Sequence, residues 1–280
     1  MDRRASCDSP PVSHVEELSL YARGAAEAFA ADAETAGAPF SVGCRVHRTR
    51  AALAEHLPGA RNRPACAVRT GRSATVHLSF EDLQGIPRLA LEGWVELLLA
   101  ECAVGARLGP APFNFRKEIL PFFPVSGSAV LFLRDLVEQI HRALVRHLAT
   151  QDLVRMGRIA SQICYYRYRL EGGEAEGSAY ADTLPHDWIR ALFLSRTVKE
   201  YAILRLLAET GAERARALQV LWESGAPFVA RDRRILEDMV DALTRSMGAP
   251  YSRRVSALFQ VVARRLLRRP AAGAPREPVH

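Results

Sequence analysis

Residues 75–102 read T-V-H-L-S-F-E-D-L-Q-G-I-P-R-L-A-L-E-G-W-V-E-L-L-L-A-E-C, and they limit the fold more than any other stretch. Val76 and Leu78 alternate with polar neighbours, the two-residue period of a half-buried strand. After Pro87 the apolar residues crowd together: Leu89, Ala90, Leu91, Trp94, Val95, Leu97, Leu98, Leu99 and Ala100. Between Leu89 and Ala100 the only charges are Glu92 and Glu96. A helix apolar on nearly every side has to be packed on nearly every side. The rest of the chain must therefore supply layers around it.

The chain is long enough to do so. Its 280 residues suffice for one large core or two smaller ones. Hydrophobic residues make up 49% and charged residues 25%, an ordinary balance for a globular protein. No run of about 18 apolar residues lacks a charge, so no membrane span is expected. The first residues, M-D-R-R-A-S-C-D-S-P-P, have no apolar core and do not read as a secretory signal. Five scattered cysteines (Cys7, Cys44, Cys66, Cys102, Cys164) with no C-x-x-C pair argue against a disulfide framework or zinc knuckle. They favour a reducing compartment, and the expected location is cytoplasmic. The net charge of +7 raises nucleic acid or an anionic membrane as partners. Against that, the arginines are interleaved with acids everywhere except near the C-terminus, which favours a solvated surface.

In order, a polar tail is expected over residues 1–12, then a helix opened by a Ser13/Glu16 capping box. Phe40, Val42, Cys44 and Val46 alternate as a strand, and Arg50–Leu57 reads as a short helix. Ala65–Thr70 and Ser73–Ser79 read as a hairpin across Gly71-Arg72. Ser79 and Asp82 suggest a second capping box before the central helix. Leu108–Ser128, with four prolines and four phenylalanines, reads as a packed covering loop. Ala129–Ala149 and Asp152–Leu170 carry helical stripes that are rotated against each other, so a break is expected near Thr150. Gly172–Ala181 is a polar loop and the candidate boundary; the remainder, 182–270, reads as helices joined by short turns, with a tail at 271–280. The expected fold is α+β and predominantly helical. A small three-stranded N-terminal sheet packs on the central helix, within a part covering 13–171, and a helical C-terminal part follows.

Three groups of residues invite chemistry. Glu92 and Glu96 are four apart and share a helix face, where they can hold one cation or keep one acid protonated. The plainer alternative is a solvent stripe of Arg88, Glu92 and Glu96. Glu138-x-x-His141, with His147 nearby, has the spacing found in di-iron carboxylate bundles. This chain has only one such motif, and Glu138 can instead pair with Arg134 or Arg142. His147 reads more simply as a core histidine with one hydrogen bond. The C-terminal helix sets an apolar stripe beside Arg253, Arg254, Arg264, Arg265, Arg268 and Arg269. Such a helix can bind acidic partners, although arginines in a last turn also suit the helix dipole.

A strand, a buried helix with ligand-type residues at i and i+4, a covering loop and a later helix with a glutamate together resemble the zincin metallopeptidases, and their gluzincin branch in particular. The resemblance covers the order of elements over about residues 13–150. It would place Glu92 and Glu96 at the two histidine positions, Gly93 at the general base and Glu138 at the later glutamate. A glycine cannot activate water, and glutamates suit Mg²⁺, Mn²⁺ or Ca²⁺ better than Zn²⁺. The resemblance therefore implies a scaffold without peptidase activity. The expected function is a binding or regulatory protein with a protein partner, contacted through Arg264, Arg265, Arg268 and Arg269. The alternatives are a metal-dependent hydrolase using Glu92, Glu96, Glu138 and His141 with a divalent metal, and nucleic-acid binding through the arginine-rich C-terminal helix.

Overall fold

The computed structural model describes residues 9–35, 40–61, 63–109, 114–119, 128–171, 187–225, 227–245 and 249–267. It is predominantly helical, with one three-stranded mixed sheet near the N-terminus. The chain divides into two compact units. The first comprises Met1–Ala111, Val145–Glu174 and Ile203–Trp222; the second comprises Pro112–Leu144, Ala175–Ala202 and Glu223–His280. A single boundary at 172–181, between parts covering 13–171 and 182–270, does not describe this packing. Each unit gathers segments from both sides of that stretch, and two long helices divide their residues between the units.

In the first unit, α1 (Val15–Thr35), β1 (Ser41–His47), α2 (Arg50–His56), β2 (Ala65–Thr70) and β3 (Ser73–Ser79) lead to a short helix α3 (Phe80–Leu83) and the central helix α4 (Arg88–Leu108). The strand order is β1-β3-β2. β2 and β3 form the expected antiparallel hairpin, with Gly71 at φ 61° in the turn. β1 runs parallel to β3, from Ser41 opposite Ser73 to His47 opposite Ser79, because α2 and β2 carry the chain back across. Ala74, Val76 and Leu78 alternate along β3 and are fully buried on one face. Helices α1 and α4 pack against this sheet, and α4 also packs along α7 (Ile159–Glu171). The all-round apolar character of α4 is thereby used, with Leu91, Val95, Leu97 and Leu99 completely buried.

Several local expectations are corrected. The tail does not extend through 1–12, because Val12 is completely buried and bonded to Ile86 O at 2.9 Å. Residues 1–8 lie outside the described residues. The first helix is closed by Glu17 rather than Glu16, since Glu17 Oε2 accepts from the Ser13 and His14 amides at 2.8 and 3.3 Å. Asp82 turns to Arg50 rather than capping α3. Helix α6 (Ser128–Arg155) runs unbroken past Thr150, whose hydroxyl donates to Arg146 O at 2.9 Å inside the helix. The break comes at Gly157, φ 77°, where Gly157 N–H bonds Val154 O and Arg158 N–H bonds Leu153 O. That pair of bonds is a Schellman motif, which a glycine at this position permits without strain. The loops at 172–181 and 271–280 lie outside the described residues, as does most of 108–128. Within the last, the short helix α5 (Phe115–Glu118) is followed by a buried Ile119.

The second unit is built from the first part of α6, the first part of α8 (Asp187–Glu209), α10 (Pro227–Arg245) and α11 (Tyr251–Arg265). Helix α9 (Glu213–Gly225) precedes α10, which starts at Pro227. Proline suits a first helical position because its missing N–H would have no partner there. Asp232 is buried and takes a two-pronged ion pair from Arg190.

One glycine in α1 is a free lever on stability. A methyl group at Gly24 would meet nothing within 4 Å, and glycine costs a helix interior about 0.5–1 kcal/mol relative to alanine. Gly24→Ala should therefore raise the urea midpoint by the equivalent of about 0.5–1 kcal/mol. No gain would mean that Gly24 makes a contact the structure does not contain.

Candidate functional site

Glu92 and Glu96 part company on α4. Arg88 donates to Glu92 at 2.8 Å, and its guanidinium lies over the Tyr21 ring at 4.5 Å. That pair fits the expected solvent stripe. Glu96 does not, being only 2% exposed. Its carboxylate accepts from Ser161 Oγ at 2.6 Å and lies 3.4 Å from Arg158, which also donates to Asp32 on α1 at 3.0 Å. Gln162 donates to Gly93 O at 2.9 Å. Burial pushes the Glu96 acid up to about 7, against the opposing pull of Ser161 and Arg158.

Gly93 explains why these polar groups meet. A Cβ there would lie 2.2 Å from Ser161 O and 3.0 Å from Tyr165 Cβ. The backbones of α4 and α7 touch at that point, so the position that the zincin resemblance gives to a general base is a packing position. Glu96, Ser161, Gln162, Arg158 and Asp32 form a tie between helices. Nothing in the local sequence of α4 announced this tie, but Ser161-Gln162 inside an apolar helical stripe was the available signal.

The proposed metal ligands come from two different units of the chain. Glu92 and Glu96 belong to the first unit, while Glu138 and His141 belong to the second. Glu138 forms an i,i+4 ion pair with Arg142. His141 Nδ1 shares a 2.5 Å hydrogen bond with Tyr251, whose ring stands edge-on to the imidazole. Burial lowers the basicity of His141 and raises the Tyr251 phenol. Among the described residues, no three His, Cys, Asp or Glu side chains are grouped so as to hold a metal ion. Each candidate ligand has a protein partner instead. His147 is buried and bonds Gln151 at 3.1 Å, as a core histidine would.

The C-terminal arginines gather differently. Arg264 and Arg265 of α11 line a groove of about 660 Å³ with Arg245 and Asp238 of α10. Ala242, Ala257 and Val261 also line it. Arg265 pairs with Asp238, and Arg245 with Asp241 at 3.4 Å. Arg264 donates to Gln260 Oε1 at 3.5 Å. Arg268 and Arg269 lie outside the described residues.

A cluster that the sequence did not bring forward lies on the sheet. His47 ends β1, His77 sits in β3 and His56 ends α2. Their ring centroids are 5.2–5.5 Å apart, and His47 Nε2 is 3.1 Å from His77 Nδ1. Arg45 reaches His56 Nε2 at 3.4 Å. Burial, then the neighbouring His47, His56 and Arg45, push His77 down to about 4; burial, His56 and Arg45 lower His47. The available signal was that His77 falls on the opposite face of its strand from Val76 and Leu78. Its meeting with His47 depends on the parallel pairing of β1 with β3.

The cysteines also differ from expectation. Cys44, Cys66 and Cys102 are free thiols, but Cys164 is disulfide-bonded. No described helix is long and apolar enough to cross a membrane. Comparison with family models, characterised proteins and solved structures returns no match.

Proposed function

We propose that the chain is a binding or regulatory protein without peptidase activity, and that a protein partner docks on the groove between α10 and α11. The observation that carries this reading is the commitment of the candidate catalytic groups to structure. Glu92, Glu96, Glu138 and His141 are all engaged by neighbouring side chains, and Gly93 is pressed against α7. The groove offers three arginines around small apolar side chains. This combination fits an acidic amphipathic segment, whose apolar face covers the alanines while its carboxylates meet the arginine forks. The zincin-like order of elements in residues 13–150 is kept in this proposal as scaffold only.

The test is fluorescence anisotropy with two labelled probes at low salt. One is a peptide with glutamates flanking a leucine stripe; the other is a DNA duplex. The peptide should bind, and Arg264→Glu/Arg265→Glu should weaken it at least tenfold. Binding of the duplex alone, falling steeply with salt, would transfer the groove to nucleic-acid recognition. Peptide binding indifferent to the charge reversal would remove the groove from the proposal.

A further inference from the structure

We propose that His47, His56 and His77 form an acid-sensitive latch, which holds the C-terminal end of α2 on the sheet and releases it when the cluster takes up protons. The inference concerns the first unit and stands apart from the α10–α11 groove.

The two ends of α2 are held by different forces. At the start, Thr49 caps the helix through the Ala52 amide at 3.1 Å. Glu81 of α3 accepts from the Arg50 amide at 3.0 Å, and Asp82 accepts from the Arg50 side chain at 3.0 Å. At the far end the anchors are the buried Leu53 and the contact of His56 with the other two rings. A seven-residue helix has little stability of its own, so these contacts decide whether its last turn stays docked.

The contact is built for neutral imidazoles. An N–H···N bond between His47 and His77 needs one ring to donate and the other to keep a lone pair. One proton can be accommodated by the pair, but a second removes the acceptor. The surrounding charges worsen that step. From β1, Arg45 faces the cluster; from β2, Cys66 lies opposite His77 in the strand register; from α3, Glu81 and Asp82 are already engaged by Arg50. The charged groups that act on His47 and His77 are the other histidines and Arg45, all cationic when protonated. Like charges a few ångströms apart and partly out of water repel strongly. His77 is 4% exposed and cannot move into solvent while its strand stays paired. His56 is exposed, and moving it outward with the last turn of α2 separates the charges. That movement uncovers Leu53 and the histidine face of the sheet, which gives the surface two states selected by pH.

Hydrogen exchange on the full chain tests this, after correction for the intrinsic pH dependence of exchange. The reporters are the amides of Leu57 and Ala60, which bond Leu53 O and Leu57 O at 2.8 Å. Between pH 7.5 and 5.0 their protection should fall at least tenfold, while the Val95 and Leu97 amides in α4 keep theirs. His56→Gln, at an exposed position where folding is not at stake, should shrink the loss severalfold. Protection that does not change with pH, that falls equally in α4, or that falls as far in His56→Gln as in the parent would overturn the latch. A second readout is the ring proton spectrum. Line shifts of His56 that track the loss of Leu57 protection support the latch; His56 titrating with the reporters unmoved rejects it.

Discussion

Gly93→Ala is expected to destabilise the chain by about 2–4 kcal/mol and to lower the thermal midpoint by roughly 5–15 °C. The added methyl would stand 2.2 Å from Ser161 O and 2.7 Å from Ser161 C, both backbone atoms of α7. No rotamer change relieves such a contact, so α4 and α7 must separate. Separation also stretches the Gln162–Gly93 and Ser161–Glu96 bonds, at 2.9 and 2.6 Å, and loosens the Trp94–Tyr165 ring contact. Helix propensity pulls the other way by about 1 kcal/mol, which is too little to compensate. Gly105 in the same helix is the control. A methyl there would meet only the Arg69 side chain at 3.7 Å, so Gly105→Ala should be neutral or slightly stabilising. Equal midpoints for the two variants, measured by calorimetry, would mean that the helices do not cross at Gly93.

That crossing also marks where sequence reasoning succeeded and where it stopped. The period-two pattern at Val76 and Leu78 and the nearly all-apolar helix after Pro87 predicted a strand and a buried helix, and both are present. Those signals are local, because they depend only on which faces must leave water. The role of Gly93 was not local. A glycine in a helix reads as a weakness until the backbone that approaches it is known, and that backbone comes from about 70 residues further along. Glu96 was misleading for the same reason. Its spacing from Glu92 is right for a shared cation, yet Ser161 and Arg158 had already determined its use. The break in the long helix shows the reverse. The rotation of the apolar stripe suggested Thr150, whereas Gly157 carried the stronger signal, a residue able to take φ 77°. The three histidines meet through a parallel strand pairing and a helix end, and neither can be inferred from spacing alone.

Glu96→Gln is expected to change the pH dependence of stability strongly, because burial raises the Glu96 acid. The folded-state pKa of Glu96 lies near 7, above the ordinary 4.5. An acid whose pKa is raised by folding contributes stability that is fully present below the unfolded pKa and lost as pH rises through the folded one. Going from pH 4.5 to pH 8, the parent should lose about 3 kcal/mol through this group. The glutamine variant keeps an acceptor for Ser161 and carries no charge, so it should gain about 3 kcal/mol on the parent over that range. His77 acts in the opposite direction. Its folded-state pKa lies near 4, below the ordinary 6.5, so its contribution is present above 6.5 and lost as pH falls through 4. In the parent the two slopes oppose each other between about pH 4.5 and 6.5, and a nearly flat profile hides both. Urea denaturation across pH 4–8 separates them. Glu96→Gln should become steadily more stable from pH 4 to 6.5, and His77→Gln steadily less stable from pH 4.5 to 7. Profiles parallel to the parent in both variants would mean that neither group carries a shifted proton equilibrium. Crossing profiles would show that one unit holds a buried acid and a buried base with opposite proton costs. The slope of each group becomes visible only when the other is replaced.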